Sequence, residues 1–222
     1  MIGASACKTK PYKGLGMDGP IATWYAKNTA GALGQFRDLA AEIAAGLDAG
    51  DRVLEVAPGP GYLAVELARL GLMVTGLDIS RSFVRIATDL AARTGVKAAF
   101  VRGDAAHAPF EDECFDFLVC RAAFKNFTNP VGALKEMRRV LRVGGRARLI
   151  DMRRDASSAD IAAEVAGMGL SALDGLITRG VLRKLRRQAY ARSDFERMTA
   201  EAGFADVQIG DGPIGFDILM TR

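Results

Sequence analysis

The sequence predicts an α/β fold built on a doubly wound, mostly parallel sheet with a helical N-terminal cap. Three observations predict it. Five short apolar runs rich in β-branched residues recur between residues 52 and 152, and the stretches between them carry helical spacing. The first run, Arg52-Val53-Leu54-Glu55-Val56, passes through a glycine-proline turn (Ala57-Pro58-Gly59-Pro60-Gly61) straight into an amphipathic segment. Near the end, two strand-like runs flank Gly210-Asp211-Gly212-Pro213, a hairpin signal that places an antiparallel strand at the C-terminal side.

Taken in order, glycines and prolines interrupt the first twenty residues and predict a loop. A helical pattern follows over residues 21–47, with Ile21, Trp24, Leu33, Phe36, Leu39, Ile43 and Leu47 on one side and a break at Gly31 and Gly34. After the 52–56 strand, Leu63, Leu67 and Leu70 mark a helix. The run 73–79 is a second strand ending in an acid, and Ser80 is a good N-cap for a helix that Gly95 closes. Residues 98–101 make a third strand and 115–120 a fourth. Asn129-Pro130 opens a helix with Val131, Leu134, Met137 and Leu141 on its stripe, and Gly144-Gly145 turns into a fifth strand over 147–152. Two less periodic helices fill 155–192, a cap at Ser193 begins another that Gly203 ends, and the last two strands cover 206–209 and 216–220. The chain divides as one domain over 1–222: a helical cap (1–50), a ligand-binding core (51–152), a helical lid or substrate insertion (153–192), and a closing helix and strand pair (193–222).

Composition sets the class. At 222 residues, 50% hydrophobic and 25% charged, the chain can bury a sizeable core. Its net charge of +4 is too small to argue for nucleic acid, and none is expected as a partner. Cys7, Cys114 and Cys120 form no pair at metal-like spacing, so no metal is expected. Their odd number argues against a disulfide framework and for free thiols in the cytoplasm. No signal pattern opens the sequence, and no run approaches the ~20 apolar residues of a membrane span.

A strand–glycine turn–helix unit binds a nucleotide-like ligand beyond the strand's carboxyl end. Asp78, about twenty residues after the turn, stands where an acid takes two ribose hydroxyls, which serves NAD and S-adenosylmethionine alike. Pro60 removes a backbone N–H beside the turn and weakens an anion site there, which disfavours a pyrophosphate. Adenosylmethionine carries no phosphate, and its charged amino-acid part can use Glu55 and backbone groups. Asp104, after the third strand, can accept from an adenine amino group.

Residues 52–152 resemble the class I S-adenosylmethionine-dependent methyltransferases, and within them the type 11 group that includes the quinone C-methyltransferases of ubiquinone and menaquinone synthesis. The carrying runs are Val53-Leu54-Glu55-Val56-Ala57-Pro58-Gly59-Pro60-Gly61, Gly76-Leu77-Asp78-Ile79-Ser80, Gly103-Asp104-Ala105, Phe115-Asp116-Phe117-Leu118-Val119-Cys120 and Arg139-Val140-Leu141-Arg142-Val143-Gly144-Gly145. Phe124-Lys125-Asn126-Phe127-Thr128 falls where the quinone enzymes carry a similar basic-Asn-apolar-Thr run. The resemblance implies a Rossmann-like seven-stranded sheet and S-adenosyl-L-methionine as cofactor. It places Glu55, Gly59 and Gly61 beside the methionine moiety, Asp78 and Ile79 at the ribose and adenine, and Asp104 with Ala105 at the adenine edge. Arg121 falls near the cofactor's carboxylate, and Tyr25 of the cap lies close by. Ala57 stands where the family commonly has its first glycine, and Val143 where it has proline.

Methyl transfer from a sulfonium is an in-line displacement in which the protein chiefly positions a small-molecule acceptor. O, N, S and C acceptors remain open, and no catalytic residue is assigned. His107, the only histidine, lies in an Ala-Pro-rich loop and reads as solvated or adenine-side, and Cys120 as packing. Asp18, Asn126 and Asp151 fall near the expected pocket mouth without a role. The segment Arg179, Arg183, Lys184, Arg186, Arg187, Arg192 reads as a solvated helix face, or as a peripheral membrane contact over 179–192. Two other functions stay in view: a non-catalytic adenosylmethionine-binding regulatory protein and a nicotinamide-dependent oxidoreductase.

Overall fold

The computed structural model describes residues 12–13, 16–29, 31 and 33–222. Cys7 and most of the loop expected over the first twenty residues lie outside the described residues. Helices α1 (Pro20–Thr29) and α2 (Leu33–Ala44) precede β1 (Arg52–Val56), α3 (Tyr62–Arg69), β2 (Met73–Asp78), α4 (Arg81–Thr94), β3 (Ala98–Arg102), β4 (Phe115–Arg121), α5 (Pro130–Val140) and β5 (Leu141–Met152). Helices α6 (Ser158–Gly167), α7 (Ala172–Arg186) and α8 (Arg192–Ala202) follow, then the hairpin of β6 (Asp206–Asp211) and β7 (Gly215–Thr221). The strands form one seven-stranded sheet in the order β3-β2-β1-β4-β5-β7-β6. Strands β1 to β5 are parallel, and β7 runs antiparallel to both β5 and β6.

Both faces of the sheet are covered, which is why the central strands read as continuous apolar runs. Alternate residues feed different layers. Leu54, Val56, Leu118 and Cys120 pack with Leu134 and Met137 of α5 and Phe195 and Met198 of α8. Val53, Phe117 and Val119 pack with Leu39 and Ile43 of α2 and Leu63 and Leu67 of α3. Local chemistry sets the helix ends. Ser80 Oγ accepts from Phe83 N, Asn129 accepts from Gly132 N, and Gly95 ends α4 in the left-handed region at φ 70°.

Several expectations are corrected. Trp24 and Ile21, placed on the packed side of the cap, are 65% and 42% exposed. The side of α1 that packs is lined by Ala22 and Ala26, which let the helix approach α4 closely. Gly34 lies inside α2 rather than breaking it. Leu70 falls beyond the end of α3 and is exposed. Strand β5 begins at Leu141, not 147, so Leu141 is a strand residue opposite Phe115. An irregularity between Phe115 and Phe117 absorbs the Gly144-Gly145 protrusion. Helix α8 starts at Arg192, and its cap is the Asp194 carboxylate accepting from Ala191 N at 3.0 Å rather than Ser193.

Candidate active site

The strand order reverses at β1, whose neighbours are β2 on one side and β4 on the other, and the crevice at their carboxyl ends is the expected ligand position of such a sheet. Glu55 and Asp78 stand there, 4% and 5% exposed. Burial pushes the Glu55 carboxyl up to about 8, against the opposing pull of the Ala64 amide and Arg121. Glu55 Oε2 is buried and has no hydrogen-bond partner among the described residues. Burial likewise raises Asp78 to about 6, although Ser80 N (2.8 Å) and Gly59 N (3.0 Å) donate to its two oxygens and favour the charged form.

The turn between these acids separates two glycine roles. Gly59 has φ +54° and a Cβ there would meet nothing within 4 Å, so its face is open. Gly61 is buried at φ +83°, and a Cβ would lie 2.7 Å from that of Ala87, so this glycine serves the packing of α3 on α4 rather than ligand approach. Ala57 holds the left-handed conformation at φ 57°, the price of lacking glycine there. Its amide donates to Leu77 O at 2.8 Å, which ties the turn to β2.

The N-terminal segment is tied to α3 and to the start of α4 beside this crevice. Asp18 Oδ1 accepts from Ser80 Oγ (3.0 Å) and Ser82 N (2.8 Å), bonds that hold its carboxyl below the usual range, while Gly19 N donates to Ser82 Oγ (2.9 Å). Tyr62 Oη donates to Ala26 O at 2.7 Å. Tyr25 is half-buried against the edge of Phe83, and burial raises its phenol while Arg121 opposes that. Arg121 lies over the Phe36 ring, 4.9 Å from its centroid, and donates to Gln35. Glu55, Tyr25 and Arg121 therefore share one electrostatic neighbourhood.

The remaining expected residues fall at the rim. Ile79 is half-buried, and its carbonyl accepts from Arg102 Nε at 3.2 Å. Asp104 caps its own short 3-10 turn by accepting from Ala106 N at 3.0 Å, and Ala105 packs on the core. His107 is exposed with Nδ1 3.4 Å from Asp104, outside the crevice. Cys120 is fully buried, and burial raises its thiol well above the ordinary value, as fits a packing role.

Two features had no role in the sequence reading. Lys125 Nζ bonds Asp151 Oδ1 (2.8 Å) and Ala122 O (2.6 Å). Asp151 also accepts from Lys125 N and Met152 N, so this buried pair is fully satisfied at the ends of β4 and β5. Tyr12 bridges to Phe127 in antiparallel fashion, Lys13 N donates to Asn126 O at 2.7 Å, and Lys13 Nζ to Tyr190 Oη at 2.9 Å. Burial, then the Tyr25, Asp78 and Asp151 side chains, raise the Tyr12 phenol, so it lies within electrostatic reach of both ends of the crevice. The run Lys125-Asn126-Phe127 carried the only sequence signal for this region.

Residues 54–149 match the type 11 methyltransferase domain family. The ubiquinone/menaquinone biosynthesis C-methyltransferase UbiE of Xylella fastidiosa (strain M23) is 39% identical over 108 residues, 46% of this chain and 42% of that protein, so the alignment spans under half of the relative's length. A solved structure described as an S-adenosyl-L-methionine-dependent methyltransferase, from Methanococcus maripaludis, superposes with TM-score 0.74 at 21% identity, covering 99% of this chain and 97% of that one. The [4+2]-cyclase SpnF superposes with TM-score 0.59 at 25% identity, over 79% of this chain and 58% of its own. The matched region carries Glu55, Asp78 and Asp104 in order, and over it the chain is similar to the type 11 group of S-adenosylmethionine-dependent methyltransferases.

Proposed function

We propose that the chain transfers a methyl group from S-adenosyl-L-methionine to a small-molecule acceptor by in-line displacement. One observation carries the assignment of the site: two buried carboxyl groups, Glu55 and Asp78, flank an open-faced Gly59, and Glu55 has an oxygen without a partner. Buried polar groups of this kind have a ligand to satisfy. When bound, the cofactor supplies a methyl group on a sulfonium that is already a good leaving group.

The protein's part is orientation. Asp78 accepts from the ribose hydroxyls with the capacity its two amide donors leave, and Ile79 lines the adenine. Asp104 and Ala105 border the adenine edge. Glu55 holds the amino end and Arg121 the carboxylate, with Tyr25, Ala57 and Gly59 shaping the wall and Gly61 fixing the turn against α4. The small-molecule acceptor enters where Tyr12, Lys13 and Tyr190 approach the loop after β4, under a lid formed by residues 153–192. Positioning of this kind is worth up to about 7–11 kcal/mol.

No general base is assigned, since His107 is exposed and Cys120 is sealed in the core. A cytoplasmic setting belongs to the same reading, in keeping with Cys114 and Cys120 being unpaired thiols. No described helix is long and apolar enough to cross a membrane. The nicotinamide reading loses ground to the family match, and Pro60 still weighs against a pyrophosphate.

A second reading is favoured by the fold relative named as a cyclase and by the lack of an evident base: binding of the cofactor without methyl transfer. Incubation with methyl-labelled cofactor and a panel of quinols, phenols, amines and thiols separates the two. Label in a product supports transfer. Tight binding with no labelled product across the panel supports the second reading. The relatives' name makes carbon acceptors the first to try.

A further inference from the structure

Helix α7 presents a face that is unpartnered among the described residues and that the methyl-transfer reading does not use. It packs on α6 through one side, where Gly175 is buried and Leu182 and Arg186 are half-buried. Its outward side carries Leu173, Leu176, Ile177 and Val181, exposed by 68%, 66%, 56% and 51%. These fall at the i, i+3, i+4 spacing of a single helical stripe. The turn before the helix adds exposed Met168 and Leu170. Single exposed apolar residues are ordinary, but a contiguous set of this size marks a contact surface.

The expected basic segment resolves into two populations. Arg186 donates to Ala156 O (2.6 Å) and Arg192 binds Ile209 O and Asp211, so these two serve the fold, and Arg179 is half-buried on the packed side. Arg183, Lys184 and Arg187 are exposed, and helical geometry puts them on the outward side, following the apolar stripe along the same face. The one acid in the first turn, Asp174, is held by Ser171 Oγ at 2.6 Å.

We infer that this face docks on an anionic lipid surface, with the N-terminal half of α7 entering the acyl boundary and the three cations meeting headgroups behind it. Charge complementarity selects this occupant over a second copy of the chain. An antiparallel pair of α7 helices would bring the three cations of each against the 168–174 end of the other, whose single acid, Asp174, is already held by Ser171 Oγ. A lipid surface satisfies both halves at once, as for interfacial helices generally.

The test is flotation of the full chain with vesicles of phosphatidylglycerol and phosphatidylcholine, and with phosphatidylcholine alone. Association only with the anionic vesicles is expected. It should be lost in Leu173→Ser/Leu176→Ser, weakened about fivefold for each of Arg183, Lys184 and Arg187 changed to Gln, and reduced by salt. All changed side chains are exposed, and adenosylhomocysteine binding serves as the folding control, so failure here is distinct from failure of the methyl-transfer reading. No association with either vesicle, or equal association with both, overturns the inference. So does a dimer in light scattering that Leu173→Ser/Leu176→Ser abolishes, which would make the face a contact between copies.

Discussion

The carboxyl ends of β1 and β2 and those of β4 and β5 each bury charge-bearing groups, and they do so in opposite ways. At β4 and β5 the Lys125–Asp151 pair is closed: both partners are buried and Asp151 accepts from a side chain and two amides. At β1 and β2 the acids make no ion pair among the described residues, their carboxyls are pushed up to about 8 and about 6, and Glu55 keeps an unpartnered oxygen. One end is complete without a ligand and acts as structure. The other carries an electrostatic cost that a ligand rich in donors relieves.

The largest expected effect tests the closed end. Lys125→Met leaves Asp151 buried without its cation and should cost about 3–5 kcal/mol in denaturant unfolding. A loss below about 1 kcal/mol would mean the pair is not the closed unit described. Asp78→Asn tests the open end. It should weaken adenosylhomocysteine binding about a hundredfold by calorimetry, as expected for losing charged hydrogen bonds of ~1.5–3 kcal/mol each. Stability at neutral pH should change little.

The pH dependence follows from the same acid. Between the unfolded value of 3.8 and the folded value of about 6, the folded protein holds a proton that the unfolded chain has released. Asp78 therefore stabilises the ligand-free protein at low pH, and that contribution is lost as pH rises through about 6. Urea midpoints should show this slope in the native protein, and Asp78→Asn should flatten it.

The glycines give the next contrast. Gly61→Ala meets Ala87 as well as backbone strain and should destabilise by about 2–4 kcal/mol in thermal unfolding. Gly59→Ala carries only the strain, about 1–2 kcal/mol, and should show its main effect in ligand affinity. The smallest expected effect is at Ala57, where glycine would relieve the φ of 57° and should shift stability by no more than about 1 kcal/mol in the stabilising direction.

What was legible in the sequence follows the same division. Strand β1, the turn, β2 with Asp78 and its Ser80 cap, and the hairpin signal are local patterns, and each stands where its residues predict. The Lys125–Asp151 pair joins residues 26 apart on different elements, so no local pattern marks it. The same holds for Tyr12 beside Phe127 and for Asp18 on α4, which are tertiary contacts of the cap. Periodicity sets Trp24 on the packed side of α1 because it finds a stripe but not the small-residue face that a close helix contact selects. The different roles of Gly59 and Gly61 needed the position of Ala87.

The most direct measurement is calorimetric titration of the native protein with adenosylhomocysteine at pH 7.5 and pH 5. With the Asp78 carboxyl at about 6 and binding favouring its charged form, affinity should fall at least about tenfold at the lower pH, and Glu55 at about 8 adds to the fall. Absence of binding at pH 7.5, or equal affinity at both pH values, would contradict the account of the β1–β2 end as the adenosylmethionine site.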